Sequence, residues 1–205
     1  MEDWIGREVG FPLVVSGPSG VGKTSLVDIL LRTIPRCMRS VSSTTRSIRA
    51  GEVDGGSYSF VTEEQFLQLR DRDGFAESAR YNKAWYGTPK APLDAKLAGG
   101  SCVVLNIEVD GGLQIHDRYA DAVLVFVLPP SWEELRRRLL GRQTDTIEVV
   151  EARIQRAREE VQVIDRYDYV IINDDLDRCA QDLAAIVRAE RRKVARLHER
   201  SATEP

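Results

Sequence analysis

A chain of 205 residues with a formal net charge of −3, 42% hydrophobic and 30% charged side chains suits one soluble unit with a single good core and is short for two independent domains. That balance gives no overall case for nucleic acid or membrane as a partner, so any anion site must be local. Cys37, Cys102 and Cys179 are widely spaced with no C-x-x-C pair, which suggests neither a disulfide framework nor a zinc site and fits a cytoplasmic protein.

The first apolar run, "FPLVVS", reads as a strand, and "GPSGVGKT" follows it directly. Gly17, Gly22, Lys23 and Thr24 stand at the fixed places of the phosphate-binding P-loop, Gly-x-x-x-x-Gly-Lys-Thr. Glycines let main-chain N–H groups turn inward around an anion, and the helix expected over 23–33 adds its positive N-terminal dipole. Gly17, Pro18, Ser19, Gly20, Val21, Gly22, Lys23, Thr24 and Ser25 therefore form a candidate ATP-phosphate site. Lys23 is placed to reach the β- and γ-phosphates, and Thr24 offers a hydroxyl to Mg²⁺. A Gly/Ser-rich turn that binds nothing is the bland alternative, and the strand–loop–helix context argues against it.

Residues 40–88 have a different texture. Short β-prone pieces, "SVSST", "SYSFV" and "FAESARY", surround a short helix beginning "TEEQF", with Thr62 and Glu64 or Gln65 suited to its N-terminus. This reads as a small mixed lobe inserted into the main unit. Within it Arg46 and Arg49 lie near Ser42, Ser43, Thr44 and Thr45 and ahead of Tyr58. Two guanidinium forks and a phenol make a clamp for a second phosphate, with a solvated basic turn as the open alternative.

Beyond the lobe, "CVVLNI", "AVLVFVL" and "DYVII" are compact apolar runs. Helical patterns over 89–99, about 111–119, 131–140, 146–164 and 176–200 separate and follow them, the signature of parallel strands with crossover helices. The longest apolar stretch, "AVLVFVLPP", ends in prolines well short of a membrane span. His116 and His198 fall on helix surfaces, which leaves the chain without an obvious histidine base.

The P-loop together with "SSTTRSIRAGEVDGGSYSFV", "FAES", "WYGTP", "FVLPPSWEELRRRLLGR" and "YVIINDDLD" closely resembles the guanylate kinases, in order and at matching spacing over nearly the whole chain. The resemblance implies one α/β domain of the P-loop nucleoside monophosphate kinase fold. Its core would comprise 1–39, 89–130 and 165–205, its GMP-binding lobe 40–88, and its helical lid about 131–164. It implies that Arg46, Arg49, Tyr58 and Tyr86 hold the GMP phosphate while Ser42, Glu77 and Thr88 read the guanine. Arg138, Arg142 and Arg153 resemble the lid arginines that act on the transferring phosphoryl group with Lys23 and Arg46, and Asn173 and Asp174 lie at the adenine-side loop. Two departures stand out. Where the family has two aspartates in an "LDID"-like strand end, this chain has "LNIEVDGG", so the resemblance puts Asn106 and Glu108 among the GMP-binding residues, Asn106 keeping an acceptor oxygen without the charge and Glu108 keeping the charge on a longer arm, with metal handling as the open alternative; "NKAWYGT" also replaces "GNYYGT".

The implied reaction is transfer of the γ-phosphate of ATP to GMP or dGMP with Mg²⁺, by a monomer or homodimer with no nucleic-acid or membrane partner. A carboxylate at 77 suits guanine, since it can accept from N1–H and the 2-amino group together; adenine offers neither donor there. Rival readings are a non-enzymatic phosphopartner-binding module of the same fold and a P-loop kinase for another phosphorylated acceptor such as a ribose bisphosphate. A regulatory GTPase would need N-K-x-D, and "NKAW" lacks the aspartate.

Overall fold

The structure is a computed structural model that describes residues 9–49, 51–56, 58–81, 83–141 and 146–196. In chain order it contains β1 (Phe11–Ser16), α1 (Lys23–Thr33), β2 (Cys37–Arg39), β3 (Ser42–Thr44), β4 (Tyr58–Phe60), α2 (Glu63–Asp71), β5 (Phe75–Tyr81) and β6 (Ala84–Pro89). There follow α3 (Lys90–Ala98), β7 (Cys102–Asn106), α4 (Val109–Arg118), β8 (Val123–Leu128), α5 (Trp132–Leu140), α6 (Ile147–Val161), β9 (Tyr169–Ile172) and α7 (Leu176–Glu190).

The main sheet has strand order β2-β7-β1-β8-β9 and every pairing in it is parallel. β1 sits in the middle and all six of its residues are buried, as expected of a strand covered on both faces. Side chains alternate between those faces. Phe11, Leu13 and Val15 join Val104, Val125 and Val127 under α1, α5, α6 and α7, with Leu26, Leu30, Leu139, Ile154 and Leu183. Val14 faces the other way with Val103, Leu105, Leu93 of α3 and Ile115 of α4.

A second, mixed sheet of order β4-β3-β6-β5 is built wholly from residues 42–89. α2 packs on it through Phe66, which stacks on Phe75 with ring centroids 4.4 Å apart, and starts at a capping box in which Thr62 and Gln65 satisfy each other's backbone N–H. Gln114 of α4 joins this sheet to the core. Its Oε1 accepts from the Ser78 N–H at 3.1 Å and its Nε2 donates to the Ser78 carbonyl at 3.2 Å.

Two boundaries differ from the sequence reading. α6 stops at Val161 and passes into a 3₁₀ turn at Ile164–Arg166. The amphipathic run expected to 200 stops at Glu190, followed by a 3₁₀ turn at Val194–Arg196. Glu190 is fully buried and accepts from Tyr169 at 2.6 Å and from Arg196 at 3.1 Å. Gathering these groups around one carboxylate bends the chain back onto the sheet, where Arg196 lies 4.1 Å from the Phe11 ring centroid. His198 lies outside the described residues, and His116 is exposed near the end of α4.

Candidate active site

The P-loop leaves the carboxyl end of β1, where ligands of open α/β sheets gather. Gly17, Gly20 and Gly22 have φ of 136°, 95° and 96°, backbone that L side chains rarely adopt. Space forbids a side chain as well: a Cβ on Gly17 would lie 2.2 Å from the Val127 carbonyl oxygen, and one on Gly22 would lie 2.5 Å from Asn173 Nδ2. That same Nδ2 donates to the Val21 carbonyl at 2.6 Å, so the end of β9 braces the loop. Lys23 Nζ donates to the carbonyls of Gly17 and, at 3.1 Å, Pro18. Thr24 Oγ1, one residue into α1, accepts from Asn106 Nδ2 at 3.1 Å.

Between the P-loop and the mixed sheet lies a cleft of about 370 Å³. Thr24, Ser42, Arg46, Arg49, Tyr58, Glu77, Tyr86, Asn106 and Glu108 all line it, and Thr88 stands behind Glu77. One wall is cationic and aromatic. Arg46 lies 5.2 Å from the Tyr58 ring centroid, and the Tyr58 and Tyr86 rings meet edge to face at 5.9 Å. The Arg46 fork is bidentate on Glu52, at 2.7 and 2.8 Å, while Glu52 also accepts from the Arg49 N–H at 2.8 Å. Hydrogen bonding to Arg46, then to Arg49, holds the Glu52 carboxyl down at about 2, so it stays ionised and fixes the fork's direction.

Next to that wall on the same sheet is a buried polar patch, with Ser42 paired to Tyr58 and Thr88 two residues along β6 from Tyr86. Glu77, only 4% exposed, accepts from Thr88 Oγ1 at 2.7 Å, and Ser42 Oγ lies 3.5 Å from that hydroxyl. Burial pushes the Glu77 carboxyl up to about 7, with the Thr88 hydrogen bonds opposing the rise. The carboxylate has its space because residue 111 is glycine: a Cβ there would lie 2.8 Å from Glu77 Oε2.

On the donor side, Arg138 of α5 donates to Glu134 at 2.7 Å and to the Asn173 carbonyl at 2.8 Å, which ties α5 to the loop that braces the P-loop. Asp174 pairs with Arg178 and accepts from the Asp175 N–H at 2.7 Å. Arg153 is half-buried on α6. Arg138, Arg153, Asn173 and Asp174 stand outside the cleft lining, and Arg142 lies outside the described residues.

Comparison with known proteins decides the family. The sequence profile described as Guanylate kinase matches residues 10–190. The chain belongs to the guanylate kinase family. A guanylate kinase of Deinococcus radiodurans is 47% identical over 89% of this chain and 76% of its own length, and one of Rhodospirillum rubrum is 46% identical over 91% and 86%. The crystal structure of guanylate kinase from Anaplasma phagocytophilum superposes with a TM-score of 0.79 at 34% identity, over 93% of this chain and 91% of that one. The guanylate kinase match takes in the whole cleft and both α5 and α6. Sequence reasoning missed Glu52, Gly111, Arg39 and Tyr81 of the cleft. Gly111 carried a readable signal, since two adjacent glycines in a helix cost about 1 kcal/mol each and call for a packing reason.

Proposed function

We propose that the protein transfers the γ-phosphate of ATP to GMP or dGMP, giving ADP and GDP. The observation that carries this reading is the make-up of the cleft: a buried carboxylate, Glu77, with Thr88 and Ser42, set beside the Arg46, Arg49, Tyr58 and Tyr86 cluster on the same sheet, in a cleft that Thr24 of a complete P-loop also lines. Ionised Glu77 accepts from N1–H and the 2-amino group of guanine while Thr88 and Ser42 complete the polar wall. Arg46 and Arg49 hold the acceptor phosphate, and Tyr58 and Tyr86 fix its position. A site built to pair buried polar groups rejects the wrong base by about 10⁴-fold, because those groups are otherwise left unpaired.

ATP sits with its phosphates in the Gly17–Ser25 loop, and Lys23 leaves its loop carbonyls for the β- and γ-phosphates. Asn173 and Asp174 flank the adenine side. Lys23, Arg46 and the lid arginines Arg138, Arg142 and Arg153 compensate charge on the transferring group, and in-line positioning does most of the work. The acceptor phosphate has a second pKa near ~6 and attacks without a strong base, in keeping with the exposure of His116. For Mg²⁺ the fit is to a hydroxyl and phosphates: Thr24 Oγ1 opens on the cleft, and among the described residues no three acidic, His or Cys side chains are grouped to hold a metal alone. Bound with ATP, Mg²⁺ would be held by Thr24 Oγ1 on the protein side and would supply charge compensation to the phosphates.

We also place the protein in the cytoplasm as a monomer or homodimer acting on small molecules. Its cysteines are free thiols, and no described helix is long and apolar enough to cross a membrane. A coupled ADP-release assay over GMP, dGMP, AMP, UMP, CMP and a ribose bisphosphate tests the reading. GMP and dGMP should exceed the others by at least ~10³ in kcat/KM. Turnover with the bisphosphate alone would reassign the acceptor, and GMP binding without turnover would make the chain a binding module.

A further inference from the structure

The main sheet carries a thiol pair that phosphoryl transfer does not use. β2 runs parallel to β7 with Cys37 directly opposite Cys102. Both side chains lie on the α1/α7 face, Cys102 fully buried in that core and Cys37 packed against it at the sheet edge, half-exposed. Adjacent strands stand about 4.8 Å apart, inside the ~4.4–6.8 Å Cα separation that a disulfide spans. Arg191, just past α7, is anchored by donating to the Pro35 carbonyl at 2.8 Å and brings the same Nη2 to 3.6 Å from Cys37 Sγ. The Cys102 thiol, and then the Arg191 charge, draw the Cys37 thiol below its usual range against the effect of burial. The Cys102 thiol is pushed up, first by Cys37 and then by burial. Cys179 differs: it is buried on α7 and donates to the Ile172 carbonyl at 2.9 Å.

We propose that Cys37 and Cys102 form a reversibly oxidisable dithiol, with Cys37 the thiol that attacks a hydroperoxide and Cys102 the thiol that resolves it. The Cys37 thiolate takes the terminal oxygen of the peroxide, the O–O bond breaks, and an alkoxide or hydroxide leaves and picks up a proton, giving Cys37 sulfenic acid. Cys102 sulfur then attacks Cys37 sulfur; the S–O bond breaks, and the thiol proton and the hydroxyl leave as water. In sum two thiols and one hydroperoxide give one disulfide, one alcohol or water, and one further water. Arg191 favours the thiolate that begins the sequence.

The test uses the full-length reduced protein treated with hydrogen peroxide while its circular dichroism stays native, followed by alkylation and peptide mapping. The expected result is loss of two hydrogen atoms per chain, mapped to an intrachain Cys37–Cys102 link and reversed by dithiothreitol. Cys37 should be alkylated at least ~10-fold faster than Cys102 or Cys179. In Cys102→Ala, Cys37 should stop at a sulfenic acid that dimedone traps; in Cys37→Ser, Cys102 should stay unoxidised. The wild-type map is decisive even if Cys102→Ala folds poorly. Sulfinic acid at Cys37 without a disulfide, links only between chains, or three unmodified thiols would each overturn the proposal.

Discussion

In the proposed reading, Glu77 serves guanine recognition at the expense of stability. Its carboxyl is raised to about 7 by burial, whereas in the unfolded chain it titrates near ~4.3. Between those values the folded protein keeps a proton that the unfolded chain releases, so this group's stabilisation is complete below about pH 4 and is lost as pH rises through about 7. The loss amounts to roughly 4 kcal/mol, taken from the size of the shift. Glu77→Gln, always neutral and similar in shape, should therefore melt higher than wild type at about pH 8, with the gap closing near pH 4. The same change should lower kcat/KM for GMP by at least ~10² and leave the ATP KM unchanged, because one guanine donor then meets an amide NH₂. Calorimetry at the two pH values and acceptor kinetics check both halves, and ATP affinity falling along with GMP affinity would remove Glu77 from the acceptor wall. Gly111 is its steric counterpart. Alanine in a helix is favoured over glycine by about 1 kcal/mol, yet here its methyl would press on Glu77 Oε2 at 2.8 Å. Gly111→Ala should raise the GMP KM at least ~10-fold with the ATP KM unchanged; an unaltered GMP KM would mean that the carboxylate finds another position at no cost.

Elements meet where β7 ends and α1 begins, and there Asn106 donates to Thr24 Oγ1. That contact sets Asn106 beside the hydroxyl proposed to face Mg²⁺, whereas the sequence had put it with the GMP-binding residues. Asn106→Asp should thus move the midpoint of a Mg²⁺ titration of activity by at least ~3-fold, through a charge one hydrogen bond from the metal-facing oxygen, and change the GMP KM by less than ~10-fold. The reverse pattern, a large KM change with a fixed Mg²⁺ midpoint, would return Asn106 to the acceptor. The apolar strands β1, β7 and β8 were legible in the sequence because continuous hydrophobic runs announce doubly covered strands, and the short run of β9 was legible although it is an edge strand with Val170 and Ile172 exposed. α1 and α5 were legible because their turns repeat buried leucines. β2 and β6 were not: one is three residues at a sheet edge, the other mixes Trp85, Gly87 and Pro89 and becomes a strand through its partners β3 and β5. The cleft residues named from the sequence were legible through the motifs shared with the guanylate kinases, whereas Glu52, Gly111, Arg39 and Tyr81 were not. The Arg46–Glu52 fork and the Arg138–Asn173 contact were not, since a loop bend and a separation of 35 residues leave no local pattern.

At the scale of the whole molecule, the proposed transfer requires the mixed-sheet lobe and α5–α6 to come together over the P-loop and exclude water. One contact already joins the lobe to α6. Arg156 lies 4.6 Å from the ring centroid of Tyr81, a cleft residue at the end of β5, and is itself held by Glu160 at 3.0 Å. Tyr81 in turn meets Tyr86 edge to face at 6.4 Å, so an aromatic contact runs from α6 to the proposed phosphate clamp. A cation over an aromatic ring is worth about 0.5–2 kcal/mol depending on exposure, enough to bias a closure equilibrium several-fold. GMP alone should therefore slow hydrogen exchange in 147–161 as well as in 42–88, and GMP with a non-hydrolysable ATP analogue should slow it further and reduce the radius of gyration in solution scattering. Arg156→Met keeps an apolar stem but removes the charge. With this variant GMP should still protect the lobe, while its protection of 147–161 should fall at least ~3-fold, the change expected when a contact of that strength is lost. Equal protection of α6 in variant and wild type would show that the coupling runs through the core instead, by way of Gln114 and α4. Absence of any GMP effect on α6 in wild type would mean that closure of this segment waits for ATP.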